Sequence, residues 1–116
     1  MNAQKNKGDR AEREACIYLT AATWYTIERR FGAGQEKDKG DLVGLPNTIV
    51  QVCDMKNKSE AVLRKPREAE HQRLNARVDH AITMVRFNKR PGCAEGDNWR
   101  VVMTLEQYAR LIKWII

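Results

Sequence analysis

Three residues in the stretch KGDLVGLPNTIVQVCDMKNK (39–58) have the types and spacing to do chemistry: Asp41, Asp54 and Lys56. Residues 48–52, Thr-Ile-Val-Gln-Val, are a β-branched run, and side chains two apart in a strand point to one face. Val50, Val52, Asp54 and Lys56 therefore share a face, on which apolar packing gives way to a carboxylate and an ammonium. Asp41 heads a second short apolar run, 42–45, and Pro46-Asn47 between the two runs is a turn signal. Paired as a hairpin, the runs return Asp41 to the neighbourhood of Asp54. Two carboxylates and a lysine at one strand edge suit a Mg²⁺ ion and an oriented water, a hydrolytic site for phosphodiesters. A plainer reading is also open: Asp41 a turn residue, and Asp54 with Lys56 a same-face ion pair.

The elements that must hold these residues follow from pattern. Asp9 with Glu12 three residues on reads as the capped start of a helix after a loose polar stretch 1–8. Ala11, Ala15, Tyr18, Leu19 and Ala22 form its buried stripe. Residues 24–30 read as a strand ending in Arg29-Arg30, and 31–39, with Gly32 and Gly34, as a loop. After the hairpin a basic connector leads to Pro66, a natural first helical residue, and the helix continues to about residue 81. Arg73 and Arg77 form a ridge on it. Residues 81–88 and 99–103 are strands, and Thr104 with Gln107 caps a closing helix. Leu105, Tyr108, Ala109, Ile112 and Ile116 are expected on its core side, with Leu111 and Trp114 projecting from the other. The order α-β-β-β-α-β-β-α predicts an α/β fold, a central mixed sheet flanked by helices, in one domain over 1–116.

With the motif in place, the chain resembles the PD-(D/E)XK nucleases: Asp41, a linker with a turn, then Asp54-Met55-Lys56. Lys7-Gly8, Glu12-Arg13, Arg29-Arg30 and the lead-in Lys39-Gly40-Asp41 are similar, more narrowly, to archaeal-type and phage Holliday junction resolvases. Gly40 stands where the family's name has proline, and Asp54 where resolvases carry glutamate. The resemblance implies a restriction-endonuclease-like core. It implies Mg²⁺, with Mn²⁺ able to substitute, held by Asp41, Asp54, the Met55 carbonyl and Glu12, the last directly or through a water. Lys56 would orient the attacking water. Lys7, Arg13, one of Arg29 and Arg30, Lys39, Lys58, Arg73 and Arg77 are candidate DNA contacts, and Gln72 is a weaker candidate near the metal. The implied activity is symmetric nicking of four-way junctions by a homodimer. A related nuclease for nicks, flaps or duplex, and a catalytically silent DNA-binding protein, are the alternatives.

Composition limits the other classes. At 116 residues there is one core. Ten lysines and arginines against four acidic residues lie between 56 and 90, a surplus equal to the net +6 of the whole chain. A basic segment directly after an acidic site suits a phosphate-gripping surface. Three scattered cysteines, Cys16, Cys53 and Cys93, fit neither a disulfide framework nor zinc spacing, which points to reduced thiols in a cytoplasm. His71 and His80 lack a ligand-like partner motif. Neither GxGxxG nor a P-loop is present, so a nucleotide cofactor has no support. No apolar run approaches the roughly 18 residues of a membrane span, and the polar first residues do not read as a signal peptide.

Overall fold

The computed structural model describes residues 3–30, 40–87 and 98–115. The loop at 31–39 with Lys39, most of the 89–98 loop with Cys93, and Ile116 lie outside them, as does the side chain of Lys7. The order is helix α1 (Ala3–Ala22), strands β1 (Glu28–Arg29), β2 (Leu42–Val43) and β3 (Thr48–Cys53), helix α2 (Lys58–Ala76), strands β4 (His80–Arg86) and β5 (Trp99–Val102), and helix α3 (Leu105–Ile115). This is the expected α/β arrangement. One five-stranded sheet runs β1-β2-β3-β4-β5, antiparallel throughout except for the parallel β3–β4 pair. A parallel pair needs a crossover, and α2 supplies it.

Alternation along β3 sorts the core into two layers. Val50, fully buried, joins Leu42, Met84 and Trp99 under Ala11 and Ala15 of α1, and Val52 packs against the same cluster. Ile49 and Cys53 point the other way, to Ala69 and Ala61 of α2. Burying each large apolar side chain contributes about 1.5–3 kcal/mol, and the sheet needs both helices to do so. The Pro46-Asn47 turn is present, with Asn47 at φ 55°, and it is tied to the start of β4. Asn47 Nδ2 donates to Asp79 Oδ2 at 2.6 Å, and Asp79 N donates back to Asn47 Oδ1 at 3.0 Å.

Four local expectations are corrected. α1 begins at Ala3, so Asp9 is not its cap but a mid-helix residue paired with Arg29. The strand expected over 24–30 shortens to Glu28–Arg29, and Trp24 stands 98% exposed. Strand preference reflects packing on a sheet face, and among the described residues no strand covers the outer edge of β1. α2 starts at Lys58, not Pro66. Asn57 caps it by accepting Glu60 N at 3.0 Å, while Arg77 closes it in the left-handed region at φ 57°. Pro66 is buried inside the helix and costs one backbone bond to Val62, a residue exposed to water.

α3 is turned over relative to the apolar pattern. Gln107 is buried and Arg110 and Leu111 are half-buried, whereas Leu105, Tyr108 and Ile115 are exposed. Trp114, expected to project outward, meets His80 edge-on at 5.5 Å. The expected capping box explains the roll. Gln107 Oε1 accepts Thr104 N at 2.9 Å and Gln107 N donates to Thr104 Oγ1 at 3.0 Å. That leaves Gln107 Nε2 for the Pro66 carbonyl at 3.0 Å and Glu70 Oε1 at 2.9 Å, and Arg110 reaches the same Glu70. A polar network with α2 thus fixes which side faces in.

Candidate functional site

Asp41 and Asp54 are brought to one end of β3. Leu42 pairs with Val50, so Asp41 lies just beyond the pair, at the open end of the hairpin and away from its turn. Its backbone N donates to the Val50 carbonyl at 2.8 Å, and its Oδ2 accepts Val52 N at 2.7 Å. Gly40 permits this entry. It is buried with φ at +94°, where an added Cβ would stand 3.0 Å from the Val50 carbonyl oxygen. Proline, fixed near −65°, is incompatible with that backbone, which is a physical reason for the departure from the motif's name. Asp54 follows Val52 by two residues, about 7 Å of extended chain. Its side chain is only 8% exposed. β3 ends at Cys53, so Asp54, Met55 and Lys56 lie just past the strand, with Lys56 exposed.

The helix carboxylates divide between two arginines. Glu12 is engaged by Arg29: its Oε1 accepts Arg29 Nε at 3.0 Å, beside the contact of Arg29 Nη2 with Asp9 at 2.9 Å. These bonds, Glu12 foremost, raise the Arg29 pKa further above its ordinary value. Arg29 therefore lies along α1. Arg30 N donates to the Asp41 carbonyl at 2.8 Å, and Arg30 Nε is buried without a partner among the described residues. Of the two arginines, Arg30 is the one directly beside Asp41. Glu14 is the helix carboxylate that reaches Asp54, through Arg86, a residue the pattern reading did not single out. Arg86 Nε and Nη2 each lie 3.1 Å from Glu14 Oε2, and Arg86 Nη1 lies 3.5 Å from Asp54 Oδ2. Arg86 follows Met84 by two on a face already assigned to α1, a signal available from alternation once β4 is set.

The remaining candidates separate by position. Lys58 Nζ donates to the Arg86 carbonyl at 2.5 Å and stands 5.2 Å over the Phe87 ring, at the same sheet end as Asp54. Arg13 is exposed on α1 and lines, with Cys16, Ile17, Glu28 and Arg29, an open groove of about 670 Å³. Arg73 and Arg77 sit at the other end of α2, near the start of β3. Arg73 holds Glu70 and the Val78 carbonyl, and Arg77 is exposed. Six residues of β3, roughly 20 Å, separate them from Asp54. Gln72 is 4% exposed, among the residues α2 buries, on the sheet face opposite α1. Burial pushes the thiols of Cys16 and Cys53 up, which disfavours thiolate chemistry at either.

Two aspartates at one strand end fit Mg²⁺, a hard cation that keeps several waters and takes one or two carboxylates besides substrate phosphate. Among the described residues no group of three or more His, Cys, Asp or Glu converges as a fuller cage. No helix among them is long and apolar enough to cross a membrane. Comparison with protein-family models, curated proteins and solved structures finds no match to this chain.

Proposed function

We propose that this protein is a Mg²⁺-dependent DNA endonuclease of the PD-(D/E)XK type with a restriction-endonuclease-like core, selective for four-way junctions. The observation that carries the reading is the placement of Asp41 and Asp54 at the same end of β3, with Lys56 exposed two residues on. Asp41, Asp54 and the Met55 carbonyl would hold the ion, with Mn²⁺ able to replace it. When bound, it would supply Lewis-acid polarisation of a phosphate and activation of a water. Lys56, exposed and in no ion pair among the described residues, would meet a phosphate oxygen and stabilise charge building there. Lys58, beside the Arg86 carbonyl, and Arg30, beside Asp41, would supply positive charge around an acidic centre, where phosphates could be gripped. The sequence carries no recognition-helix or zinc-finger motif for base readout, so selection would rest on backbone shape.

A junction needs two cuts, and a homodimer with one site per subunit provides them. In support, Leu105, Tyr108 and Ile115 leave an apolar stripe on the outer side of α3. Such an enzyme works where DNA is, in the cytoplasm. The test is cleavage of a labelled four-way junction with Mg²⁺, beside linear duplex, nicked and flapped substrates, with Lys56→Ala and Asp54→Asn as controls. Paired nicks on the junction alone, lost in both controls, are expected. Cutting of every substrate would keep the site and replace the resolvase reading with a general nuclease. A second reading, a DNA-binding protein without cleavage, is favoured by the Arg86 contact with Asp54 and the engagement of Glu12 by Arg29; tight, salt-sensitive binding with no Mg²⁺-dependent cutting would establish it.

A further inference from the structure

Beyond the last residue of β4, on the α2 side of the sheet, the chain leaves apolar surface beside fixed positive charge. Phe87 follows Arg86, so alternation turns its ring toward α2, where it packs with Cys53, Ala61 and Val85. Between that ring and the first turns of α2 lies an open groove of about 390 Å³, lined by Lys58, Ser59, Val62, Leu63 and Phe87. Val62 and Leu63 are 42% and 74% exposed, so the groove offers water an apolar floor. Its rim is positive. Lys58 Nζ stands 5.2 Å from the centre of the Phe87 ring, and the Arg100 guanidinium 5.8 Å. Backbone holds both cations: Lys58 Nζ donates to the Arg86 carbonyl at 2.5 Å, and Arg100 Nη1 to the Trp99 carbonyl at 2.8 Å. Arg86 and Trp99 are partners across β4 and β5, so one cross-strand pair places both charges. An ammonium has three donors, and this bond leaves Lys58 able to meet an anion as well. Glu60, early in the same helix, is held by Arg64 at 2.6 Å, so its charge is met there.

An apolar floor with a cationic rim fits a ligand that joins a flat apolar body to an anion. Paired DNA keeps its bases inside the stack and presents phosphates alone, which have no use for the floor. A nucleotide outside the stack presents both parts. We propose that this groove takes one unpaired nucleotide of a DNA strand, with the base against Val62, Leu63 and Phe87 and the phosphate at Lys58 and Arg100; this rests on the DNA-binding part of the reading above and not on its metal chemistry. The groove then selects DNA that exposes an unpaired nucleotide at a branch, a flap or a gap over uninterrupted duplex. Selection of this kind is tolerant of sequence, because every base has a flat face.

Anisotropy titrations of the full chain in EDTA, where no metal-dependent cutting occurs, test this with three labelled probes. They are a blunt duplex, the same duplex with a short thymidine tail, and the same duplex with an abasic tail of equal length. The thymidine tail is expected to tighten binding by roughly tenfold over the blunt duplex, and the abasic tail to recover little of that gain. Val62→Asn with Leu63→Asn changes two exposed side chains and spares the core; it should erase the advantage of the thymidine tail and leave blunt-duplex affinity within about twofold, a margin small beside the loss of a stacked base. Phe87→Leu, which keeps apolar bulk without the ring, should reduce the same advantage, and 2-aminopurine in the tail should be quenched by the wild type and not by the double variant. Thymidine and abasic tails that bind alike, a wild type without tail preference, or a double variant that keeps it overturn the groove and leave DNA binding standing. Equal losses on blunt and tailed probes overturn it too, since the groove would then serve duplex. Absence of binding to all three probes overturns the DNA-binding reading together with the groove.

Discussion

Replacing Gly40 with alanine should damage the site and the fold together, and the size of the effect follows from the backbone. Gly40 is buried at φ +94°, with the Val50 carbonyl oxygen 3.0 Å and Ile49 Cβ 3.5 Å from where a Cβ would lie. A left-handed φ costs an L-residue about 1–2 kcal/mol. The Val50 carbonyl cannot retreat freely, since it already accepts Asp41 N at 2.8 Å; forcing it back costs about 1 kcal/mol more, the net worth of such a bond. The sum, about 2–3 kcal/mol, should lower Tm by about 8–15 °C in a chain of this size. Gly40→Pro, which demands φ near −65°, should lose more. Gly44, at φ +122° on the turn side of β2, is the comparison: an added Cβ would stand 2.3 Å from the Thr26 carbonyl oxygen, so Gly44→Ala should destabilise at least as much, from the other end of β2. Calorimetric unfolding with Mn²⁺ titration of both variants separates the two effects. A Gly40→Ala protein whose Tm stays within about 2 °C of wild type, a loss below about 0.5 kcal/mol, would refute the reasoning, because the chain would then reach Asp41 by an unstrained path.

Further expectations concern the pairs that hold the helices and the surface proposed to meet DNA. Burial pushes the Glu70 carboxyl up, but hydrogen bonds from Arg110, Gln107 and Arg73 outweigh it and bring its pKa down to about 2, from 4.5. A depressed carboxylate contributes stability above its unfolded pKa that is lost as pH falls through the folded one. Discounted for its partial exposure, the contribution is about 1–2 kcal/mol. Urea unfolding from pH 6 to pH 2 should therefore show a loss of that size between about pH 5 and pH 2, and Glu70→Gln should flatten it; an unchanged profile in the variant would contradict the assignment. Asn57→Ala removes the cap of α2 and should cost about 0.5–2 kcal/mol by chemical denaturation, with an undiminished midpoint counting against the cap. Lys58→Ala and Arg30→Ala should weaken DNA binding and each reduce the salt slope by about one. Arg77→Ala, at the other end of β3, should do neither; an equal effect in filter-binding or anisotropy titrations would place the DNA elsewhere.

The sequence by itself determined the element order, the hairpin and the proximity of Asp41 to Asp54. Those features rest on local rules: period-two alternation from Thr48 onward, a Pro-Asn turn, and the need for the apolar members of 42–52 to face a core. It also determined the Thr104–Gln107 cap, because a capping box is made within one helical turn. The start of α2 was equally legible, in Asn57 followed by Glu60, but Pro66 drew the boundary to itself. Proline inside a helix is tolerated where the carbonyl it strands can meet water, a condition of exposure that no local pattern states. Only the tertiary structure decided which charges meet. Glu12 and Glu14 are two apart on one helix, and whether either serves Arg29 or Arg86 depends on strands that arrive 17 and 72 residues later. The roll of α3 was decided the same way. Its apolar residues outnumber the polar ones on the expected face, yet Glu70 on α2 offers Gln107 and Arg110 partners that the apolar face could not replace. Periodicity reports which residues can leave water, whereas the placement of buried polar groups depends on where their partners are.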